Sequence, residues 1–206
     1  GRLAGLPEPT PALLGASTLA FIFDRSFNIM GGNLMSTMAG EFAFTLAITF
    51  CLIYIGMLIK GVETGEKRAA AALFLALTGL CHLLIVFFAL IVSFVAVATR
   101  LSRASVRWIT EVGLLSGLIS AFWVLPFWWH RSHLNDMGWE KLTSYSSYLW
   151  SRDQLAADFL TNDPPLQLAI VLAAAGAVLS LVFRRRLGVV LTISVVALAL
   201  AFIYLP

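Results

Sequence analysis

The chain has 206 residues, of which 60% are apolar and 12% charged, with a mean hydropathy of +0.90 and a formal net charge of +3. A charge this small and dispersed excludes a nucleic-acid-binding surface, and apolar runs of this length exclude ordinary soluble cytoplasmic chemistry. The expected fold is all-α: a polytopic transmembrane helix bundle forming a single domain over residues 1–206, with function in the few polar residues a bilayer tolerates.

The sequence opens at Gly1 with neither Met nor a signal-peptide pattern, and reads as an internal fragment of a longer protein. Pro11 to Phe23 is a short apolar run closed by Asp24 and Arg25. Glu41 to Ile59, Val112 to Trp128 and Leu187 to Leu205 satisfy the requirement of about 20 apolar residues for a bilayer core of roughly 30 Å, and Leu166 to Val182 is just long enough. Backbone groups in lipid must be satisfied within the segment, so these runs are expected to be helices; no alternation of the barrel type is present. Cys51 and Cys81 lie inside apolar runs without metal or CxxC spacing, and are read as small hydrophobes.

Nine of the fourteen Lys and Arg residues fall in three clusters: Lys60, Lys67 and Arg68; Arg100, Arg103 and Arg107; Arg184, Arg185 and Arg186. The positive-inside rule places all three on the cytoplasmic face. A single crossing between Arg68 and Arg100 would separate the first two. Ala69 to Ala98 has 30 residues, about 45 Å as one helix, which would need a tilt of about 48°. A turn at Gly79 to His82 returns the chain to the same side, at the cost of two limbs too short to span lipid unless neighbouring helices or a water-filled cavity bury them. A short hairpin at residues 79–82 is preferred to the single helix. The outer loops are then residues 24–40 and 130–165.

The run Asn28 to Phe42, NIMGGNLMSTMAGEF, brings Asn33, Ser36, Thr37 and Glu41 to the mouth of a helix, with Gly31, Gly32 and Gly40 permitting unusual backbone angles. Glu41 is either a functional carboxylate or a partner of the helix dipole in the first turn. His82 is either hydrogen-bonded to a neighbouring helix or, at a hairpin tip, placed to contact a phosphate or orient a carboxylate. His130, Arg131 and His133, followed by Asn135 and Asp136, offer donors for a pyrophosphate or a lipid-phosphate head group, with Arg131 able to make a bidentate contact. The His-x-x-His spacing with Asp136 leaves room for a divalent metal but is a weak metal signature; no other cofactor is indicated. Leu142, Tyr145, Leu149, Ala156 and Phe159 recur at helical spacing, as in a helix on the outer interface, while Trp128, Trp129 and Trp150 suit an aromatic belt. Asn162 and Asp163 before Pro164 and Pro165 supply an N-cap and early prolines for the next crossing.

The run Asn28 to Phe42, LTGLCH ending at His82, and AFWVLPFWW followed by NDMGWEK, within Ala121 to Lys141, together resemble bacterial, particularly actinobacterial, integral membrane proteins described as 6-pyruvoyl-tetrahydropterin synthase-related. Nothing in the residues points to a pterin enzyme. Those proteins are similar in layout to GT-C polytopic glycosyltransferases. The resemblance implies a multi-pass plasma-membrane enzyme that moves a sugar from a polyprenyl-phosphate donor to an envelope glycan or lipid acceptor on the outer face. It implies Glu41 as base, or partner of a principal carboxylate upstream of Gly1. Asn33, His82, His130, Arg131 and Asp136 would bind substrate. A transporter or flippase, or a non-catalytic scaffold for lipid-linked glycans, is the alternative, although no internal inverted repeat is evident.

Overall fold

The computed structural model describes residues 1–23, 32–40, 42–133, 164–183 and 185–204, and among these the regular structure is entirely helical. After a single turn of 3-10 helix at Arg2–Ala4 come α1 (Thr10–Ile22), α2 (Leu34–Met38), α3 (Phe42–Thr64), α4 (Arg68–Cys81), α5 (Leu83–Ala98), α6 (Arg103–Trp129), α7 (Pro164–Val182) and α8 (Arg186–Tyr204). The expected amphipathic helix at Leu142 to Phe159 and the Asn162 and Asp163 cap lie outside the described residues. Pro164 and Pro165 do open α7, where the first turn has no use for their missing N–H groups. Among the described residues, α3 and α6 are long and apolar enough to cross a membrane.

Helix α3 is the centre of the fold, and α4, α5 and α6 pack around it. Its face from Ala47 through Cys51, Tyr54 and Leu58 to Val62 is buried against Ala71, Ala72 and Leu75 of α4, Ala89, Val92 and Ala96 of α5, and Trp108 and Val112 of α6. Small residues at these positions let the backbones approach closely and gain dispersion energy. A polar tie joins α3 to α5 in this interior. Ser93 donates its hydroxyl to the Ala89 carbonyl (2.7 Å), so in the pair formed with Tyr54 the phenol must be the donor. The Tyr54 side chain is fully buried, and the bond satisfies the one polar group it carries into the core.

Between Arg68 and Ala98 the chain forms two helices. His82 ends α4 and starts α5 in an extended conformation (φ −158°, ψ 116°), its N–H still bonded to Thr78 O at 2.9 Å. The limbs lie side by side: a Cβ added at Gly79 would stand 3.0 Å from Val86 Cγ2. At the other end Arg100, just past α5, reaches Glu63 at the end of α3 (3.0 Å), and Arg68 at the start of α4 pairs with Glu111 of α6 (2.8 Å). Limbs of 14 and 16 residues are about 21 and 24 Å long.

Arg68, Arg100, Arg107 and Arg186, drawn from all three basic clusters, consequently gather at one end of the bundle. Glu63 accepts from both Arg100 and Arg186, and Arg186 also donates to Ala96 O (3.1 Å), one of the carbonyls that the end of α5 leaves without a helical partner. The carboxylate is partly exposed, so Glu63→Ala is expected to cost about 1 kcal/mol at low salt and less at high salt. Denaturant titration at two salt concentrations checks this.

Helix α6 begins at Arg103, well before the apolar run at Val112, because the Ser102 hydroxyl caps it by accepting from Ser105 N (3.1 Å). Its polar first turns are tied to the end of α3: Ser105 donates to Val62 O (3.1 Å) and the Trp108 indole to Glu66 O (2.8 Å). Beyond Ser116 the α6 side chains are largely exposed, including Leu118 (73%), Phe122 (72%) and Trp129 (80%).

Candidate functional site

The hairpin tip and the first turns of α3 meet at the end of the bundle opposite the arginines. His82 is half-buried and stands edge-on to Phe44, with ring centroids 5.2 Å apart and planes at 86°. Its Nδ1 is buried and has no hydrogen-bond partner among the described residues. Such an atom costs free energy unless something meets it, so it marks where a ligand or a water belongs. Next to Phe44, Thr45 bonds Thr37 of α2 through their hydroxyls (3.0 Å), and this seats the short helix on α3.

Asn33 lies at the start of that short helix. Its side chain is 1% exposed, and its Oδ1 accepts from Ser36 N at 2.8 Å, an N-cap. It therefore shapes the rim of the site as a capping residue. Gly32 precedes it with φ 104°, a left-handed angle at which glycine avoids the Cβ clash. The sequence placed residues 24–40 in a loop; α2 lies inside that stretch, and at five residues it is too short to leave a periodic signal.

Between α1 and α3 a groove of about 370 Å³ rises to this rim. Leu52, Ile53 and Ile48 form its apolar wall, Thr49, Thr45 and Thr18 add hydroxyls, and Gly32 closes its upper end. A linear hydrocarbon chain with a polar terminus suits that lining.

The remaining expected site residues are not joined to His82 by any contact among the described residues. His130 and Arg131 follow the exposed end of α6, and their partners are local. Arg131 donates to Trp128 O (3.1 Å) and stacks over the Trp128 ring at 4.6 Å, while His130 faces His133 at 5.8 Å. The Arg131–Trp128 stacking agrees with an interfacial anchor. Glu41 and Asp136 lie outside the described residues. Among the described residues no group of three His, Cys, Asp or Glu side chains is placed to hold a metal ion.

A feature that sequence reasoning missed is at the other end. Arg68, Arg103 and Arg107 line a cavity of about 420 Å³ together with Glu63, Thr64 and Gly65. The sequence reading used these arginines only as markers of topology. The Arg107 and Glu111 spacing of one helical turn, paired at 2.7 Å, is the signal from which a structured site could have been suspected. No family model, curated protein or solved structure matches this chain.

Proposed function

We propose that this chain belongs to a multi-pass bacterial plasma-membrane glycosyltransferase of GT-C type. It would take a sugar from a polyprenyl-phosphate donor and pass it to an envelope glycan or lipid acceptor on the outer face. The observation that carries the reading is His82, a half-buried imidazole whose buried Nδ1 has no partner among the described residues, at the tip of a hairpin too short to cross a bilayer. An ionisable side chain held at that depth is a functional-site candidate by default.

Three further observations support it. Exposed Leu118, Phe122 and Trp129 on α6 suit lipid better than water. The basic clusters gathered at one end suit a cytoplasmic face, which turns His82 outward. The groove beside α3 suits a prenyl chain whose phosphate would emerge near the rim of the site.

In the proposed reaction a carboxylate, for which Glu41 is the candidate in this chain, takes the proton of an acceptor hydroxyl. The acceptor oxygen forms a bond to the anomeric carbon from the face opposite the donor phosphate. The sugar–phosphate C–O bond breaks, its electron pair leaves with the polyprenyl phosphate, and the anomeric configuration inverts. His82 donates a hydrogen bond to the departing phosphate, with Arg131 and His130 as candidate further donors, so that developing charge meets oriented donors.

The test has two parts. Single cysteines placed at Glu66, Arg103 and Met35 in a protein lacking Cys51 and Cys81 are labelled in intact cells with a membrane-impermeant maleimide. Labelling at position 35 but not at 66 or 103 is expected; opposite sidedness of 66 and 103 contradicts the topology. Membranes containing the protein are then given a radiolabelled polyprenyl-phosphate sugar. Transfer that depends on His82 supports the enzyme, and donor binding without transfer favours the scaffold.

A further inference from the structure

We infer that the arginine-lined cavity between the ends of α3, α4 and α6 is a binding site for a phosphate group, remote from His82 and independent of the transferase reading. The charges are unequal. Glu111 is shared by Arg68 and Arg107, and Glu63 by Arg100 and Arg186, so two carboxylates serve four guanidinium groups. Arg103, exposed on the cavity wall, has no acidic partner among the described residues. Of the charged residues that line the cavity, three are arginines and one is Glu63, so positive charge is in excess around a volume of about 420 Å³, large enough for a phosphate group and part of what it is attached to.

The backbone adds to the same field. Arg68 and Arg103 open α4 and α6, so two helix amino ends, each carrying about half a positive charge, border the cavity. The α4 end has no side-chain cap: Lys67 occupies the cap position in a left-handed conformation (φ 59°) without bonding the first amides. Gly65 (φ 76°) makes the turn, and a Cβ there would stand 3.3 Å from Arg68 Nη2, so glycine leaves room for that guanidinium in the cavity wall. Guanidinium forks with uncapped amides are the donor set that phosphate oxygens use. Glu63 also lines the cavity, but Arg100 and Arg186 already neutralise it.

The phosphate can come from an anionic phospholipid headgroup or from a soluble phosphorylated compound, and the experiment separates the two. The full chain is reconstituted in nanodiscs of phosphatidylcholine, or of phosphatidylcholine with phosphatidylglycerol, and its thermal unfolding is followed. With a lipid source, phosphatidylglycerol is expected to raise the Tm by about 3 °C. With a soluble source, the same rise appears in phosphatidylcholine discs on titration with inorganic phosphate, against sodium chloride at equal ionic strength.

In either case Arg103→Glu is expected to abolish the rise. Arg103 makes no ion pair among the described residues, so the variant should keep the wild-type Tm in phosphatidylcholine; Arg103→Gln, with the same loss of the rise, replaces it if folding suffers. Lys60→Glu makes the same charge change outside the cavity and should retain the rise. No rise with either source, a rise that survives in both Arg103 variants, or an equal loss in Lys60→Glu overturns the site.

Discussion

Gly61→Ala is expected to destabilise the bundle by about 1–3 kcal/mol, an unusually large effect for one added methyl group. The indole of Trp108 stands directly against Gly61, and a Cβ there would overlap Cζ2 and Cε2 of the ring. The ring cannot step aside, because it is fully buried and its N–H is bonded to Glu66 O. Trp108→Ala is expected to cost about 3 kcal/mol or more, by leaving a cavity where α3, α4 and α6 meet and freeing the turn that holds Glu66. Trp108→Phe keeps most of the ring and loses the hydrogen bond, about 1 kcal/mol. The two sites touch, so their effects should not add: once Trp108 is alanine, Gly61→Ala should cost little. Reversible unfolding of the four proteins of this cycle in mixed micelles measures the coupling, and a neutral Gly61→Ala in the wild-type background would sink the packing described.

His82→Ala is expected to weaken polyprenyl-phosphate binding about tenfold to a hundredfold while leaving the fold nearly intact. The range is that of one hydrogen bond to a charged oxygen, about 1.5–3 kcal/mol. The fold should survive because an extended backbone suits any residue, so the helix break at position 82 does not depend on the imidazole. What is lost structurally is the edge contact with Phe44, worth about 1 kcal/mol. Binding of a fluorescent polyprenyl phosphate to wild type and variant, with the Tm of each, separates the two effects. Equal affinity in the two proteins would remove His82 from the site.

Apolar runs were enough to place α3, α7 and α8 to within a few residues, because a helix that satisfies its own backbone needs no partner to be recognised. The break at His82 was legible for another reason: charge parity across three arginine and lysine clusters disfavoured one long helix from Ala69 to Ala98. The start of α6 was not legible, since Arg103, Arg107 and Glu111 depress the hydropathy of turns that the Ser102 cap nonetheless holds in the helix. Partners were not legible either. Tyr54 and Ser93 are 39 residues apart, and only the fold shows that the phenol and the hydroxyl meet.

The candidate site was legible unevenly. His82 stood out as an ionisable residue in an apolar context, and its Nδ1 has no partner among the described residues. Asn33 reads in the sequence as a ligand at the mouth of a helix; that its oxygen caps α2 was not legible there. The cavity at the arginine-bearing end was hidden because a residue that reports topology can also build a pocket, and sequence spacing does not show that Arg68 and Arg103 come to share one wall.

The account rests on a phosphate meeting His82, and the most direct test is a structure of the full-length protein in lipid nanodiscs with polyprenyl phosphate. The expected result is phosphate density within hydrogen-bond reach of the His82 imidazole, about 3 Å, with the prenyl chain in the groove between α1 and α3. Phosphate density only in the arginine-lined cavity, or a bound lipid that leaves the His82 nitrogen unmet, would contradict it.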